Sequence, residues 1–198
     1  LTDRNLIKKS LVLPFRFSTA IQEIERAEGG QSEIRKVIRG LSEALEISLD
    51  NVPRFDGTTL VVLDESGSMQ GQPMKIGSLF AVALYKTNNA DLMTFSDAAR
   101  YRNFNPTDSI LTLADRLQKD YVGSGTNFHA IFKSTNKKYD KIIILSDNQG
   151  WIGYTSPTKD FEAYKQRMNI NSIVYSFDLN SYGTLMFPEK NVYCIAGF

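Results

Sequence analysis

VVLDESGSMQG, Val61–Gly71, runs from apolar residues straight into an acid, followed by two serines spaced around a glycine. Extended backwards it becomes TTLVVLD, a β-branched run of strand length. A run so continuously apolar suits a strand buried on both faces of a parallel sheet. Its carboxyl end then carries Asp64, Ser66 and Ser68, with Gly67 easing the turn between the serines. In an open α/β sheet, ligands bind beyond the carboxyl ends of the strands, near the point where strand order reverses. This segment therefore predicts both a fold class and the rim on which a site would sit.

From about residue 58 onward, strand and helix patterns alternate. PMKIGSLFAVALYK reads as a helix. NADLMTFSD and ARYRNF read as two strands joined by a tight turn near Ser96–Ala98, and SILTLADRLQKDY as a helix capped by Asp108 or Ser109. GSGTNFHAIFKST is a loop entering a short helix, KIIILSD a fully apolar strand and TKDFEAYKQRM a helix; NSIVYSFD and NVYCIA are the last strands. Strands rich in Ile and Val with helices between them imply a parallel sheet covered on both faces. The close pair within 89–104 adds one antiparallel edge strand. The expected architecture is α/β: a doubly wound, mostly parallel sheet with one antiparallel edge strand, preceded by an N-terminal helical segment.

That segment, residues 1–54, differs in class from residues 55–198. TDRNLIKKSLV has an N-cap in Thr2 or Asp3, and Pro14 breaks it and opens a second helix, PFRFSTAIQEIERA. A third helix follows the AEGGQS turn, with Ser32 as its expected cap and Ile34, Val37, Ile38, Leu41, Leu45 and Leu49 as its apolar stripe. The chain starts at Leu1 rather than Met, already in a helical pattern, which suggests a piece of a longer protein.

Composition bounds the answer loosely. The 198 residues are 42% hydrophobic and 23% charged, ordinary for a globular protein. A chain of this size buries about 70% of its unfolded surface and needs no covalent staple. The formal net charge of +1 argues neither for nor against a polyanionic partner. Cys194 is the single cysteine, so no internal disulfide can form, and its apolar setting VYCIAG reads as buried and inert. No run approaches the ~18–20 apolar residues of a membrane span, and no signal peptide is visible.

Two strands should deliver Asp64 and Asp147 to the same edge, and GSGTN places Thr126 between a glycine-rich loop and a helix start. Three hydroxyls and two carboxylates converging there would all offer hard oxygen atoms, with no thiol or imidazole among them. Such a set selects Mg²⁺, with Mn²⁺ or Ca²⁺ as alternatives, over zinc or copper. Hydroxyls can bind the ion directly while carboxylates hold its waters. Little negative charge then touches the metal, which stays electrophilic toward an anionic oxygen from a partner.

The pattern Asp-x-Ser-x-Ser with a distant Thr and a distant Asp resembles the metal-ion-dependent adhesion site of von Willebrand factor A domains. DESGSM, GSGTN and ILSD occur in the matching order over residues 58–198. The resemblance carries the metal-ligand roles onto Asp64, Ser66, Ser68, Thr126 and Asp147. LDESGSM, MTFSD, GSGTN, ILSDNQGW and AYKQRM together resemble the A domain of the Ro/TROVE family of RNA-binding proteins. VLPFRFSTAI is similar to the last part of that family's helical-repeat ring. In that family the ring binds small noncoding RNAs and the ends of misfolded RNAs, and the A domain closes it. The resemblance implies a cytoplasmic ribonucleoprotein component without enzymatic activity. RNA would be bound through the full-length protein, and a partner's acidic residue would meet the metal. Residues 1–54 would be a remnant of the ring.

Several residues read ambiguously. Glu65 stands where the Ro/TROVE family more often has an apolar residue, and the simplest expectation is that it points to solvent. Trp151 would either stack on a partner beside the metal or pack beneath its loop, and Asn148 could steady that loop. His129, the single histidine, reads as structural. Arg4, Lys8, Lys9 and Arg16, with Arg35, Lys36 and Arg39, could meet phosphates, but Glu23, Glu25 and Glu33 among them favour a salt-paired, solvated face. Arg100 and Arg102 in ARYRNF suit an edge strand that uses charge against aggregation. FDGTT, Phe55–Thr59, precedes the strand at the wrong end for chemistry and reads as a turn. Two other functions compete with the binding module. Metal-assisted phosphoester hydrolysis lacks a convincing base or nucleophile. A generic A-domain scaffold would have no RNA link, and the N-terminal helices would then be an ordinary extension of the sheet.

Overall fold

The computed structural model describes residues 1–88, 90–148, 157–180 and 190–196. Three helices lead: α1 (Arg4–Ser10), α2 (Pro14–Glu25) and α3 (Gln31–Ile47). Asp3 caps α1, its carboxylate accepting from the backbone N–H groups of Asn5 and Leu6 at 2.9 and 3.1 Å. Pro14 opens α2 at its first turn, where a missing N–H costs nothing. Ser32 does not cap α3. The helix begins two residues earlier, at Gln31 with Gly30 at the cap position, so Ser32 lies inside the first turn. A 3₁₀ turn, Ser48–Asn51, ends the segment. There the Asn51 side chain donates to the carbonyls of Ile7 and Val12, which holds the α1–α2 link.

The α/β region comprises β1 (Thr59–Asp64), α4 (Gln72–Asn88), β2 (Asp91–Phe95), β3 (Ala99–Arg102), α5 (Ile110–Lys119), α6 (Phe128–Ser134), β4 (Lys141–Ser146), α7 (Pro157–Met168), β5 (Ile173–Asp178) and β6 (Val192–Ala196). The six strands form one sheet in the order β3-β2-β1-β4-β5-β6. Every pairing is parallel except β2 with β3, the antiparallel edge hairpin. Strand order reverses at β1, which lies between β2 and β4. The expected α/β architecture is therefore the observed one. Of the two caps expected for α5, Ser109 is the one used.

All six residues of β1 are buried because each face of the strand meets a core. Val61 and Leu63 join α4, α5 and the N-terminal helices on one face. Leu60 and Val62 join Phe128, Phe132, Phe161 and Tyr164 of α6 and α7 on the other. Ile21, Leu41, Leu45 and Val52 belong to the first of these cores, so buried apolar contact is continuous across residue 54. Gly77 sets how closely α4 can approach the sheet: a methyl there would meet Leu63 and Leu179 Cδ1 at 2.8 and 2.9 Å. Cys194 is exposed, contrary to expectation. It sits on β6, which among the described residues is an edge strand paired only with β5, and where Tyr193, Ile195 and Ala196 are exposed as well.

Candidate metal centre at the carboxyl rim of the sheet

Because β1 and β4 run side by side in parallel, their last residues reach the same edge. Asp64 is fully buried there. One of its carboxylate oxygens accepts from the Ser66 backbone N–H at 2.8 Å and the other from the Ser146 hydroxyl at 2.6 Å. Ser146 is itself held by the backbone N–H of Asn148 at 2.9 Å. The Ser66 and Ser68 hydroxyls lie 3.3 Å apart, and Ser68 donates to Asp147 at 3.1 Å. Asp64, Ser66, Ser68 and Asp147 are thus joined in one polar cluster, buried except for Ser68 at its mouth.

Thr126 arrives by a different route. Its loop is stitched to the β1 loop by a parallel bridge between Ser66 and Ser124, by Gly67 N–H to the Ser124 carbonyl at 2.8 Å, and by Gly123 N–H to the Glu65 carbonyl at 3.0 Å. Asn127 N–H donates to the Ser96 carbonyl at 2.9 Å. Thr126 is buried between these anchors, and no hydrogen bond among the described residues ties its side chain to the other four.

Burial pushes the Asp64 carboxyl up to about 6; hydrogen bonds from Ser146 and Ser66 oppose the rise, and the Asp147 charge adds to it. Tyr121 is raised too, first by burial and then by the negative charges of Asp64 and Asp147. The rim therefore carries the negative potential of two close carboxylates. Asn148, in the left-handed region at φ 54°, buries both polar side-chain atoms without a hydrogen-bond partner among the described residues. Among those residues no group of three His, Cys, Asp or Glu side chains could hold a metal. Hard oxygens, two close carboxylates and an unsatisfied amide fit a small divalent cation.

The sequence reading missed three residues that shape the rim. Ser146 fixes Asp64, and its position just before Asp147 was the available signal. The Tyr121 hydroxyl donates to the carbonyls of Ser66 and Gly67 at 2.8 and 3.0 Å, clamping the serine loop from a distant segment. Arg100 reaches from the edge strand to Glu65, with N–O distances of 3.1 and 3.3 Å, and also donates to the Asp120 carbonyl at 3.2 Å. Glu65 is consequently only 2% exposed and does not face solvent; the Glu65 N–H donates to the Phe95 carbonyl and the side chain runs to Arg100. Burial raises its carboxyl, and the Arg100 charge opposes that rise. His129 is buried, its ring nitrogen paired with Asp160. Trp151 lies outside the described residues. The basic face is solvated but only partly salt-paired: Arg35, Lys36 and Arg39 are exposed, and among the described residues no ion pair engages them. Arg4 pairs with Asp50 at 3.2 Å and Glu23 with Arg26 at 3.1 Å.

A doubly wound sheet whose first strand ends in this Asp-x-Ser-x-Ser loop is a von Willebrand factor A type domain. The family model described as the Ro60 vWA domain matches residues 59–198, and the chain belongs to that family. It is 25% identical over 185 residues to the RNA-binding protein RO60 of Deinococcus radiodurans, covering 85% of this chain and 35% of that protein. The crystal structure of the Deinococcus radiodurans RO (RSR) protein is similar with a TM-score of 0.81 at 20% identity, covering 100% of this chain and 44% of that one. The fold likeness thus includes the N-terminal helices, and the chain spans about a third of the length of its curated relative. Among the described residues, no helix is long and apolar enough to cross a membrane.

Proposed function

We propose that the chain is the divalent-metal-dependent binding module of a Ro-like ribonucleoprotein, and not an enzyme. Asp64, Ser66, Ser68, Thr126 and Asp147 would hold Mg²⁺, or Mn²⁺ or Ca²⁺ in its place. When bound, the cation supplies an open coordination position for an anionic oxygen. This chain's own residues do the rest. Ser146 and the Ser66 N–H orient Asp64, Tyr121 fixes the serine loop, and Ser68 stands at the exposed mouth where a ligand arrives. The ligand is a carboxylate of a protein partner or an RNA phosphate. The wider role is binding small noncoding or misfolded RNA through the full-length protein in the cytoplasm; similarity to a relative named as an RNA-binding protein supports its RNA part. In this reading, residues 1–54 are the last part of a helical-repeat ring and 55–198 the A domain that closes it.

The observation that carries the proposal is the hydrogen-bonded cluster joining Asp64, Ser66 and Ser68 of one segment to Asp147 of another. Mg²⁺ at about 100 times its Kd should raise the melting temperature by about 5–10 °C, because a ligand of the native state stabilises by mass action. Asp64→Ala should abolish that rise. A mutant that responds to metal like the wild type would refute the site.

A further inference from the structure

We infer that Asn148 is a further residue of the cation centre, its amide carbonyl holding a water of the bound cation and its amide NH₂ donating to the anion that meets it. This deepens the proposed function and rests on it. Asn148 directly follows Asp147. Its backbone N–H donates to the Ser146 hydroxyl at 2.9 Å, and that hydroxyl donates to Asp64 at 2.6 Å. The residue is therefore tied to both carboxylates of the centre, to one along the chain and to the other through a single hydroxyl. It is 1% exposed, and among the described residues neither Oδ1 nor Nδ2 has a hydrogen-bond partner.

Backbone conformation alone does not account for this. Asn148 is left-handed, and asparagine tolerates that region better than most residues. Asn169 and Asn191 are left-handed too, at φ 49° and 71°. Asn169 is exposed, and the Asn191 amide donates to Asn171 at 3.1 Å, so neither buries an unpaired amide. Asn127 also follows a candidate ligand, Thr126, but its NH₂ is engaged by the Asp97 carbonyl at 3.0 Å. Of these four asparagines, Asn148 is the one buried with both halves of its amide open. Burying an amide unpaired is costly, so the site calls for one donor and one acceptor beside it. The proposed centre supplies one of each. A cation-bound water has its lone pair on the metal and can only donate, which suits Oδ1; an anionic oxygen can only accept, which suits Nδ2. Being neutral, the amide serves both without adding to the charge of Asp64 and Asp147. A carboxylate in its place would accept from the water and repel the anion.

Titration calorimetry with Mg²⁺ alone, and with Mg²⁺ in saturating acetate as the anion, tests this. Asn148→Gly keeps the left-handed backbone and removes the amide. In EDTA it should melt within about 3 °C of the wild type. It should nevertheless bind Mg²⁺ about tenfold more weakly, the low end of losses at residues that support a metal from behind its ligands. Asn148→Asp keeps an acceptor and lacks the donor. It should bind Mg²⁺ more tightly than Asn148→Gly does, yet lose the roughly fivefold tightening that acetate gives the wild type. An Asn148→Gly protein with wild-type Mg²⁺ affinity would overturn the inference. So would one that melts far lower in EDTA, because the amide would then serve the fold itself. Equal tightening by acetate in Asn148→Asp and the wild type would overturn the donor role. If instead the wild type binds Mg²⁺ no better than Asp64→Ala, the cation reading fails and this inference with it.

Discussion

The two ends of β1 carry similar residues and come to opposite fates. At its amino end, Asp56-Gly57-Thr58 sits beside Asp140; at its carboxyl end, Asp64 and the Ser66–Ser68 loop sit beside Asp147. The amino-end cluster is complete in itself. The Asp140 carboxylate accepts from the Thr58 N–H at 2.7 Å and the Thr58 hydroxyl at 2.9 Å, in the open, and Gly57 supplies the positive φ of 82° that the turn needs. The carboxyl-end cluster is buried, gathers two carboxylates and is supported by Ser146, Tyr121 and the Arg100–Glu65 bridge. The same chemical vocabulary therefore makes a turn at one end and a candidate metal centre at the other. What differs is burial and the convergence of distant segments, which hold two carboxylates close together away from water.

Protonation should separate the two ends most strongly. The Asp64 carboxyl is pushed up to about 6 from its ordinary value of 3.8, chiefly by burial. Its folded state therefore holds the proton more tightly than the unfolded chain does. Without metal, the stability it contributes is present below about pH 4 and is lost as pH rises through about 6, a change of about 3 kcal/mol. Asp140 lies below the usual carboxylate range because Thr58 hydrogen-bonds its charged form, so its contribution runs the other way and is lost as pH falls. Urea denaturation in EDTA at about pH 4 and pH 7, either side of the Asp64 titration, would measure the first effect for the wild type and Asp64→Asn. No difference between the two proteins would end the contrast.

A smaller effect should come from the bridge behind the rim. Arg100→Ala leaves the Glu65 carboxylate buried without its cation and should cost about 1–3 kcal/mol. Glu65→Gln in the same background should recover most of it. An Arg100→Ala protein of wild-type stability would mean that water reaches Glu65. Tyr121→Phe removes the hydroxyl that holds the serine loop and should cost about 1 kcal/mol. It should also weaken metal binding measured by titration calorimetry, whereas a change at the amino end should not. Smallest of all, Asp140→Ala, which removes exposed hydrogen bonds, should cost about 0.5 kcal/mol and leave the metal-induced rise in melting temperature intact. A lost metal response in that variant would show that the two ends are coupled.

The range of each interaction decides how much of the fold and the site is legible in the sequence. Strand and helix identities are encoded in local periodicity. The βαβ alternation, the antiparallel turn at Ser96–Ala98 and the Pro14 helix start can therefore be read directly. The five candidate ligands are legible because their spacing is a motif. Ser146, Tyr121 and Arg100 are not: each acts on the rim from a distant segment, and nothing local marks a serine, tyrosine or arginine as a support. Glu65 defeats the sequence reading because its partner Arg100 lies on β3 beyond β2, where only sheet order brings them together. Cys194 defeats it because an apolar run does not say whether its strand is central or at an edge.

By itself, the sequence determined the α/β class, the helical lead-in and the supply of hard oxygens at strand ends, because these rest on periodicity and side-chain chemistry. Only the tertiary structure decided which oxygens are buried together and which charges found partners. Those outcomes depend on contacts between segments far apart in the chain, whose energies are set by desolvation and geometry at the place where they meet.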